Sequence, residues 1–376
     1  MSSHQSTLPP PRLTTEEPDS FAAFSLEKRL PVILGKLIDN ADTPVLHALQ
    51  QLATEMREGK ITTLPPVIFG TLDQIIKPYS GRRWANMPFL TVELYFYARI
   101  LLAFGHSTAT PADPFQPAKE AANLQAIESL ATLAEYCDPD CDIHKLLRWS
   151  VIGNTADLSQ HIIPEADQVS LLVDESDTAT KLIASGMRRI DLVFDNAGMD
   201  VLTDLLLIRR ISSYCSHIVA HVRPYPMFIS DMTMINMENL IEKLGISSIP
   251  AARKLGADIT QLLRQNQLTL RTSPALGLPA SFYADETLTR ETFENAELVI
   301  FKGDLNYRYF AGDRRWPHTT EKDYFLQRFG RSALFLRTLK SEVLAGLTPE
   351  VVAKTTTLQP DWLTCGHYGI IQVFTG

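Results

Sequence analysis

The stretch IDLVFDNAGMDVLTDLLL, residues 190–207, passes directly from a short apolar run to a polar pair and then to a helical pattern. An apolar run of this length, Ile190–Phe194, is typical of a strand that is buried on both faces. The pair Asp195-Asn196 stands where that strand would end, and the pattern after it predicts a helix through Leu207. A strand, a polar loop and a helix in succession form the repeating unit of an α/β fold.

Further apolar runs repeat this unit on either side. They are VSLLV (Val169–Val173), HIVAHV (His217–Val222), ELVIF (Glu297–Phe301), ALFLRTL (Ala333–Leu339) and GIIQVF (Gly369–Phe374). Because near-continuous apolar runs that alternate with helices are typical of parallel strands covered on both faces, we predict a parallel sheet between helical layers. Ligands of such open sheets bind beyond the carboxyl ends of the strands, so the polar residues after each run are the candidates for a functional site.

The chain before residue 150 has a different pattern, in which apolar residues recur at three- and four-residue steps and no stretch is convincing as a strand. These residues include Leu26, Leu30, Ile33, Leu34 and Leu37. We therefore expect a helical N-terminal domain over residues 21–150 and an α/β catalytic domain over residues 151–376. The first 20 residues are polar and rich in proline. We expect them to form a disordered tail without the apolar segment of a signal peptide.

The composition argues against several classes of protein. A formal net charge of −8 disfavours a nucleic-acid surface, which needs a basic stripe. The longest apolar run, Phe89–Phe104, is interrupted by Glu93 and Arg99 and is a poor membrane span. Only four cysteines occur among 376 residues, which suits a reducing compartment. We expect a cytoplasmic protein without membrane or nucleic-acid partners, and its oligomeric state stays open.

Three residues with oxygen ligands follow predicted strands or apolar segments. Asp195 and Asn196 follow one run, and Asp231 lies in FISDMT, residues 228–233, after another. Carboxylate and carboxamide oxygens are hard ligands that suit Mg²⁺ or Mn²⁺. Each aspartate could instead cap the helix that follows it, which is a common role for this residue.

The stretch FKGDLNYRYFAGDRRW, residues 301–316, places many polar side chains directly after a strand. Backbone amides near Gly303 could form an anion site, and Arg308 could bind two phosphate oxygens. Lys340, after the run that ends at residue 339, could balance the charge of a phosphate. The alternatives are a polar surface loop and a solvated lysine.

Two further places in the sequence could contact a substrate. Asn154 and Asp157 lie in IGNTADLS at the junction of the two predicted domains, where Asn154 could instead satisfy loop backbone groups. Glu93 and Arg99 interrupt the most apolar helix, and their alternative is a buried or snorkelling pair. With Asp200, these groups could hydrogen-bond hydroxyls on the unreacting part of a substrate.

Together, these residues place acids, amides and cations after successive strands of one predicted sheet. Such a pattern suits a metal with a phosphate clamp, because phosphoryl transfer is catalysed mostly by positioning and charge stabilisation. We predict that Lys340 and Arg308 bind the phosphoryl group. Asp304 would act as nucleophile or as general base for water, and the sequence leaves both roles open.

At these residues the sequence resembles the metal-dependent damage-control phosphatases, in the sugar-phosphate branch formerly classed as acidic-residue carboxyl methyltransferases. The resembling stretches are FAAFSLEKRLPVILGKLID (Phe21–Asp39), RWANMPFLTVELYFYARI (Arg83–Ile100), IGNTADLS (Ile152–Ser159), VFDNAGMDVLTDL (Val193–Leu205), RPYPMFISDMT (Arg223–Thr233), FKGDLNYRYFAGDRRW (Phe301–Trp316), LRTLKSE (Leu336–Glu342) and GHYGIIQ (Gly366–Gln372). They occur in order along nearly the whole chain, and their combination is specific to the family.

The resemblance implies a Rossmann-like three-layer α/β/α domain with a helical N-terminal domain. It implies a divalent metal, Mn²⁺, Co²⁺, Ni²⁺ or Mg²⁺, bound by Asp195, Asn196 and Asp231. It further implies hydrolysis of a small sugar phosphate such as fructose 1-phosphate. The substrate contacts that it implies are Asp200, Asp304, Leu305, Asn306, Tyr307, Arg308 and Lys340.

Several neighbours of these residues depart from the family pattern, which suggests a substrate other than the usual sugar phosphates. The departing residues are Ala98, Ile152, Met199 with Asp200, Met227 and His367. An S-adenosylmethionine-dependent carboxyl methyltransferase is the alternative function, although no glycine-rich turn follows Val173. A non-catalytic binding protein on the same scaffold is a third possibility.

Overall fold

The strands form one sheet in the part of the chain that the computed structural model describes, which is residues 8–107, 109–110, 112–133, 135–154 and 169–375. In chain order the strands are β1 Ser170–Asp174, β2 Met187–Val193, β3 Cys215–Val222, β4 Leu268–Thr272, β5 Leu298–Lys302, β6 Ser332–Thr338 and β7 Tyr368–Phe374. Across the sheet their order is β1-β7-β6-β5-β2-β3-β4. The predicted α/β fold class is confirmed.

The prediction of a wholly parallel sheet is wrong at one edge. Strands β2 to β6 run parallel to one another, but β7 pairs antiparallel with β6, and β1 pairs parallel with β7. The start of β7 lies beside the end of β6, since Thr338 pairs with Gly369, so the strand direction reverses there. A strand that is buried on both faces has the same apolar sequence whether it runs parallel or antiparallel to its neighbour.

Strand β4, which the apolar runs did not predict, lies at the other edge of the sheet. Its residues alternate between Leu268, which is buried, and exposed neighbours such as Thr269 and Arg271. An edge strand with one solvated face lacks the continuous apolar run by which the other strands were recognised.

The helices lie in two layers, one on each face of the sheet. In chain order they are α1 Phe21–Phe24, α2 Leu30–Ile38, α3 Thr43–Glu58, α4 Pro66–Ile76, α5 Phe89–Ala103, α6 Gln116–Ser129, α7 Ile143–Gly153, α8 Ser176–Ala184, α9 Met199–Ile211, α10 Met234–Ile246, α11 Pro250–Arg264, α12 Glu286–Thr292, α13 Gly303–Ala311, α14 Lys322–Phe329 and α15 Pro349–Leu358. A π-helical turn, Ser25–Arg29, joins α1 to α2.

Each layer shares a core with one face of the sheet. Along β5, Val299 and Phe301 belong to a core that includes α2 to α5, α13 and α14. Leu298 and Ile300 point to the opposite face and belong to a core that includes α6 to α11. Helix α6 and most of helix α7 therefore share a core with the sheet although they lie before residue 151. The division into domains at residues 150 and 151 stays a prediction.

The expectation of a disordered N-terminal tail is wrong for residues 8–20, the described part of that segment. Leu13 is 2% exposed, its N–H donates to the Asp313 carbonyl, and its own carbonyl accepts from the Phe89 N–H, both at 2.9 Å. A single leucine that fills a gap between α5 and the loop after α13 leaves no periodic signal in a polar sequence.

No helix within the described ranges is both long and apolar enough to cross a membrane.

Candidate active site

A cavity of about 470 Å³ opens at the carboxyl ends of β2, β5 and β6. Its wall includes the predicted metal residues Asp195, Asn196 and Asp231. The wall also includes Asp304, Leu305, Arg308, Lys340 and Glu93 from the predicted site, together with Phe21, Arg29, Tyr97, Phe228, Ser230 and His367. The structure therefore brings together residues from both halves of the sequence.

Backbone hydrogen bonds hold the loops after β2 and β3 side by side. The Ala197 N–H donates to the Ser230 carbonyl at 2.8 Å, and the Met232 N–H donates to the Asp195 carbonyl at 3.2 Å. Asn196 and Asp231 face one another in an isolated antiparallel bridge. Three predicted metal residues from two separate loops thus lie at one point of the cavity wall.

Arg223, which follows β3, joins the two carboxylates of this group. Its guanidinium lies 3.5 Å from Asp195 Oδ1 and 3.4 Å from Asp231 Oδ1. The Phe228 N–H donates to Asp231 Oδ2 at 2.9 Å. Asn196 Nδ2 donates to Asp195 Oδ2 at 2.8 Å, and Asn196 Oδ1 accepts from the Ser230 hydroxyl at 2.5 Å.

The donor set and its electrostatics fit a hard divalent cation. Burial and the neighbouring Asp200 carboxylate raise the pKa of Asp195 to about 7, against the opposing influence of Arg223 and Lys340. Burial also raises the pKa of Asp231. The ionised forms of these carboxylates thus need more positive charge than their neighbours provide, and carboxylate and amide oxygens suit Mg²⁺ or Mn²⁺.

The proposed metal site differs in its ligands from a site built from histidine and cysteine. No group of three or more His, Cys, Asp or Glu side chains among the described residues is arranged to hold a metal ion. The predicted set contains only two carboxylates and takes its third ligand from the Asn196 amide, so its chemistry differs from that of zinc sites rich in thiolate and imidazole.

Gly303, the first residue of α13, lies directly against Asp195. Its φ of +73° is in the left-handed region, and a Cβ at this position would lie 1.8 Å from Asp195 Oδ2. A glycine is therefore required where the loop after β5 passes the loop after β2. Gly303 was predicted to contact substrate. In the structure it packs directly against the Asp195 carboxylate.

Asp304 borders the cavity and is held by cations and by backbone. Its Oδ1 accepts from Arg337 Nε at 3.0 Å and from the Lys340 N–H at 2.9 Å, and Arg337 Nη2 lies 2.7 Å from the same oxygen. Burial by itself raises the pKa of Asp304, but the charges of Arg337 and Arg308 outweigh it, and the net shift is downward. Asp304 is therefore a carboxylate at neutral pH.

Lys340 is joined to the metal residues through Asn154. Its Nζ donates to the Asn154 carbonyl at 2.9 Å. The Asn154 amide donates to Asp195 Oδ2 at 3.1 Å and to Asp200 Oδ2 at 2.7 Å. Asn154 is buried and positions these groups from behind the cavity wall. Asp157, predicted beside it, lies outside the described residues.

Arg308 borders the cavity but is already paired with two carboxylates. Its Nε lies 2.7 Å from Asp313 Oδ1, and its Nη2 lies 2.8 Å from Glu93 Oε2. Glu93 is fully buried and also pairs with Arg29, whose side chain is 32% exposed. Two arginines thus share one buried glutamate, and Arg29 is the more exposed of the two.

Besides Gly303 and Asn154, four residues predicted to contact substrate lie away from the described cavity wall. Asp200 is fully buried, and its Oδ1 lies 3.1 Å from Lys302 Nζ. Asn306 Oδ1 accepts from Arg223 Nη2 at 2.8 Å. The Tyr307 hydroxyl accepts from the Ala345 N–H at 3.1 Å. Arg99 pairs with Glu55 of α3 at 2.6 Å. Asp200, Asn306 and Tyr307 support the site from behind.

The alternative considered for Glu93 and Arg99, a pairing with one another, does not occur in the structure. Glu93 pairs with Arg29 and Arg308, whereas Arg99 pairs with Glu55. Residues six apart in a helix project in different directions, so one contacts the cavity and the other contacts α3.

Sequence reasoning missed the buried cations that support the site. Arg223, Lys302 and Arg337 all lie at the ends of strands or immediately after them. The available signal was a charged residue at the end of an otherwise apolar run. A charged side chain in such a place is buried only when it is paired, so it points to a partner of opposite charge. Arg29 gave no comparable signal, since it lies in a helical stretch where charged residues are common.

Comparisons with known proteins identify the family and the fold of this chain. A family model described as the damage-control phosphatase ARMT1-like domain matches residues 25–355. The damage-control phosphatase ARMT1 of Danio rerio is 28% identical, with 97% of each chain covered. That of Homo sapiens is 26% identical, with 96% of this chain and 98% of that protein covered. A solved DUF89 family protein from Pyrococcus horikoshii has a similar fold, with a TM-score of 0.53, 13% identity, and coverage of 94% of this chain and 98% of that one.

Proposed function

This chain belongs to the ARMT1-like damage-control phosphatase family, and from that membership we propose that it hydrolyses sugar phosphates or related phosphomonoesters in the cavity beside Asp195 and Asp231. The protein is a metal-dependent phosphatase acting on a small phosphorylated metabolite. The methyltransferase alternative is not favoured, since the matching family and the named relatives are phosphatases.

The observation that carries the proposal is the charge arrangement at the strand ends. Two buried carboxylates, Asp195 and Asp231, share one guanidinium, while Lys340 and Asp304 border the same cavity. Asp195, Asn196 and Asp231 would hold a divalent metal, which supplies charge neutralisation to a bound phosphoryl group. Ligand type favours Mg²⁺ or Mn²⁺, and the family resemblance adds Co²⁺ and Ni²⁺ as candidates.

The side chains of this cavity would then bind and attack the phosphoryl group. Lys340 would pair with its oxygens. The lowered pKa of Asp304 favours a nucleophile over a general base, because a general base works best with a pKa near the working pH. Asp304 Oδ2 would bond to phosphorus while the bond to the substrate oxygen breaks and that oxygen takes a proton from water. A second water would then attack phosphorus, release phosphate with loss of a proton, and restore the carboxylate.

Substrate choice would come from the outer wall of the cavity, where Arg29, Tyr97 and His367 lie. Of the residues that depart from the family pattern, His367 borders the cavity, whereas Ala98 and Met227 are buried in the core. His367 is therefore the departing residue best placed to alter the substrate. A cytoplasmic location and the lack of nucleic-acid and membrane partners stay predictions from composition.

The test is phosphate release from a panel of phosphomonoesters, measured with Mn²⁺ and after treatment with a chelator. We expect turnover only with metal, and we expect Asp195→Asn and Asp231→Asn to abolish it while the circular dichroism spectrum is unchanged. Undiminished turnover after chelation would contradict the metal assignment. Preference for fructose 1-phosphate by a wide margin would contradict an altered substrate but leave the phosphatase intact.

The role of Asp304 is tested separately, with a phosphorothioate substrate whose phosphorus is chiral through sulfur and two oxygen isotopes, hydrolysed in water enriched in the third isotope. Two successive displacements retain the configuration at phosphorus, whereas direct attack by water inverts it. We expect retention. Inversion would assign Asp304 to general-base catalysis.

A further inference from the structure

Helix α6 turns a polar face toward the two loops that carry the proposed metal ligands. Gln116, Lys119 and Asn123 are spaced three and four residues apart and so lie on one side of the helix. Lys119 is fully buried and Asn123 is 4% exposed. Buried polar groups on a helix are costly unless each is paired, so their partners indicate what this face does.

Lys119 bonds directly to the loop after β3. Its Nζ donates to the Asp231 carbonyl at 2.9 Å and to Asn236 Oδ1 at 3.0 Å, and it lies 2.6 Å from Asp113 Oδ2. An ammonium group has three N–H donors, and these three partners account for all of them. Gln116 accepts from the amide of the same Asn236.

Asn123, one turn further along α6, bonds to the loop after β2. Its Oδ1 accepts from the Gly198 N–H at 2.7 Å, two residues beyond Asn196. Gly198 has a φ of +87°, and a Cβ there would lie 3.2 Å from Ala122 Cβ, so the helix packs closely on this loop. One rigid helix therefore contacts both ligand loops through side chains four residues apart.

We propose that α6 sets the separation of the two ligand loops, with Lys119 and Asn123 as positioning residues that tune metal affinity without touching metal or substrate. This inference rests on the proposed function, because it takes Asp195, Asn196 and Asp231 as the ligands. Groups that orient metal ligands typically change affinity by about 10- to 100-fold when they are lost.

At Lys119, the direction of the change in metal affinity distinguishes positioning of the ligand loop from simple electrostatics. Its positive charge lies near Asp231, so its removal by Lys119→Met should tighten binding of a cation if charge alone mattered. If the hydrogen bonds to the Asp231 loop matter more, the same variant should bind the cation more weakly. At Asn123 the charge is not involved, because Asn123→Ala removes only an acceptor for the Gly198 N–H.

The experiment is titration calorimetry of Mn²⁺ into the chelator-treated full-length protein. We expect Lys119→Met and Asn123→Ala each to weaken binding by about tenfold or more. Asn123→Asp keeps the acceptor and adds a negative charge that attracts the cation, so it should bind Mn²⁺ at least as tightly as the unmodified protein. Leu124→Ala, on the exposed side of the same helix, is the matched control and should bind as the unmodified protein does.

Each outcome bears on a different statement. If the unmodified protein binds no Mn²⁺, or if Asp195→Asn binds it equally well, the proposed ligand set is wrong. If that set holds and Asn123→Ala keeps full affinity, the positioning role is wrong, even if its metal-free melting temperature has fallen. Tighter binding by Lys119→Met would assign that residue to electrostatics. If Lys119→Met does not fold, the pair Asn123→Ala and Asn123→Asp decides alone.

Discussion

At the scale of single residues, Lys340 illustrates how a cation is kept both fixed and available at a cavity wall. Its backbone N–H binds Asp304 and its Nζ binds the Asn154 carbonyl, so its position depends on two other site residues. A carbonyl partner leaves the ammonium charge uncompensated, unlike the guanidinium of Arg308, which two carboxylates neutralise. Lys340 is therefore the better placed of the two to bind a phosphate dianion.

We expect Lys340→Ala to lower kcat/KM by roughly 10²-fold or more, the scale of losing one contact to transition-state charge. Lys354→Ala, on the exposed surface of α15, is the control and should leave kcat/KM unchanged. Initial rates with the best substrate of the panel, at saturating metal, measure the effect. A wild-type value for Lys340→Ala would show that another group holds the phosphoryl oxygens.

Most of the predicted residues that border the cavity were predicted because they follow a strand or an apolar segment, and Glu93 was predicted because it interrupts an apolar helix. Asp195, Asp231 and Asp304 each come directly after an apolar segment, which is why the sequence placed them at one edge of the sheet. Arg29 reaches the cavity from a π-helical turn, and its partner Glu93 lies sixty-four residues away. No local pattern encodes an ion pair across that separation, so Arg29 could not be predicted.

At the scale of secondary-structure elements, the start of α13 is determined by its contact with the loop after β2. Gly303→Ala would place a methyl group 1.8 Å from Asp195 Oδ2, and one of the two loops must move. We expect at least a tenfold loss of metal affinity together with loss of turnover.

Gly330→Ala is the matched control for this substitution. Gly330 has the same φ of +73° but no atom within 4 Å of its hypothetical Cβ, so it reports the backbone strain alone. If the two variants lose the same affinity in calorimetry, the contact with Asp195 has no special importance.

A buried histidine connects three neighbouring strands. His221 on β3 binds Asp191 of β2 through Nε2 at 2.8 Å and Ser273, just after β4, through Nδ1 at 2.7 Å. Burial lowers the pKa of His221, against the opposing influence of Asp191. Burial alone raises the pKa of Asp191, but hydrogen bonds from His221 and Arg189 outweigh it and the net shift is downward.

Both shifts make the fold less stable in acid. A histidine whose pKa is lower in the folded state loses its stabilising contribution as pH falls below about 6.5, where the unfolded ring takes up a proton. The free energy of unfolding should fall by up to about 1.4 kcal/mol per pH unit per proton. Asp191 adds a loss of the same sign at lower pH.

His221→Gln removes this titration, so its stability relative to wild type should improve as pH falls from about 7.5 to about 5. Urea unfolding at each pH measures the difference. A constant difference across this range would mean that the pKa of His221 is the same in the folded and unfolded states, and a relative loss of stability of the variant at low pH would mean that His221 is charged in the fold.

The architecture was predictable where strands are buried on both faces, and less so at the edges of the sheet. The runs for β1, β2, β3, β5, β6 and β7 were each found within a few residues of their observed bounds. β4 was missed because its exposed face breaks the apolar run. The predicted direction of β7 was wrong because the burial pattern of a strand does not depend on its direction. The position and direction of an edge strand are determined by pairing with strands that are distant in the sequence.

At the scale of the whole molecule, the N-terminal segment ties the helical half to the α/β half. Leu13 bonds to Phe89 of α5 and to Asp313 after α13, and it is almost fully buried. Leu13→Ala should lower the free energy of unfolding by roughly 2–4 kcal/mol, the usual cost of emptying a buried leucine site. Leu8→Ala is the control, since Leu8 is 89% exposed. Equal urea midpoints for both variants would show that the segment contributes little to stability.

The pairing of β1 with β7 has a consequence for the order in which the protein folds. Ser170 lies beside Tyr368, about two hundred residues later in the chain, and β1 has no other strand neighbour among the residues that the structure describes. Contacts between such distant segments form slowly, because a long loop must close before they yield any stabilisation. The parallel strands β2 and β3 need a much shorter closure. In refolding followed by pulsed hydrogen exchange, we expect the amides of β2 and β3 to gain protection first. The edge that carries β1 would then be the last part of the sheet to form.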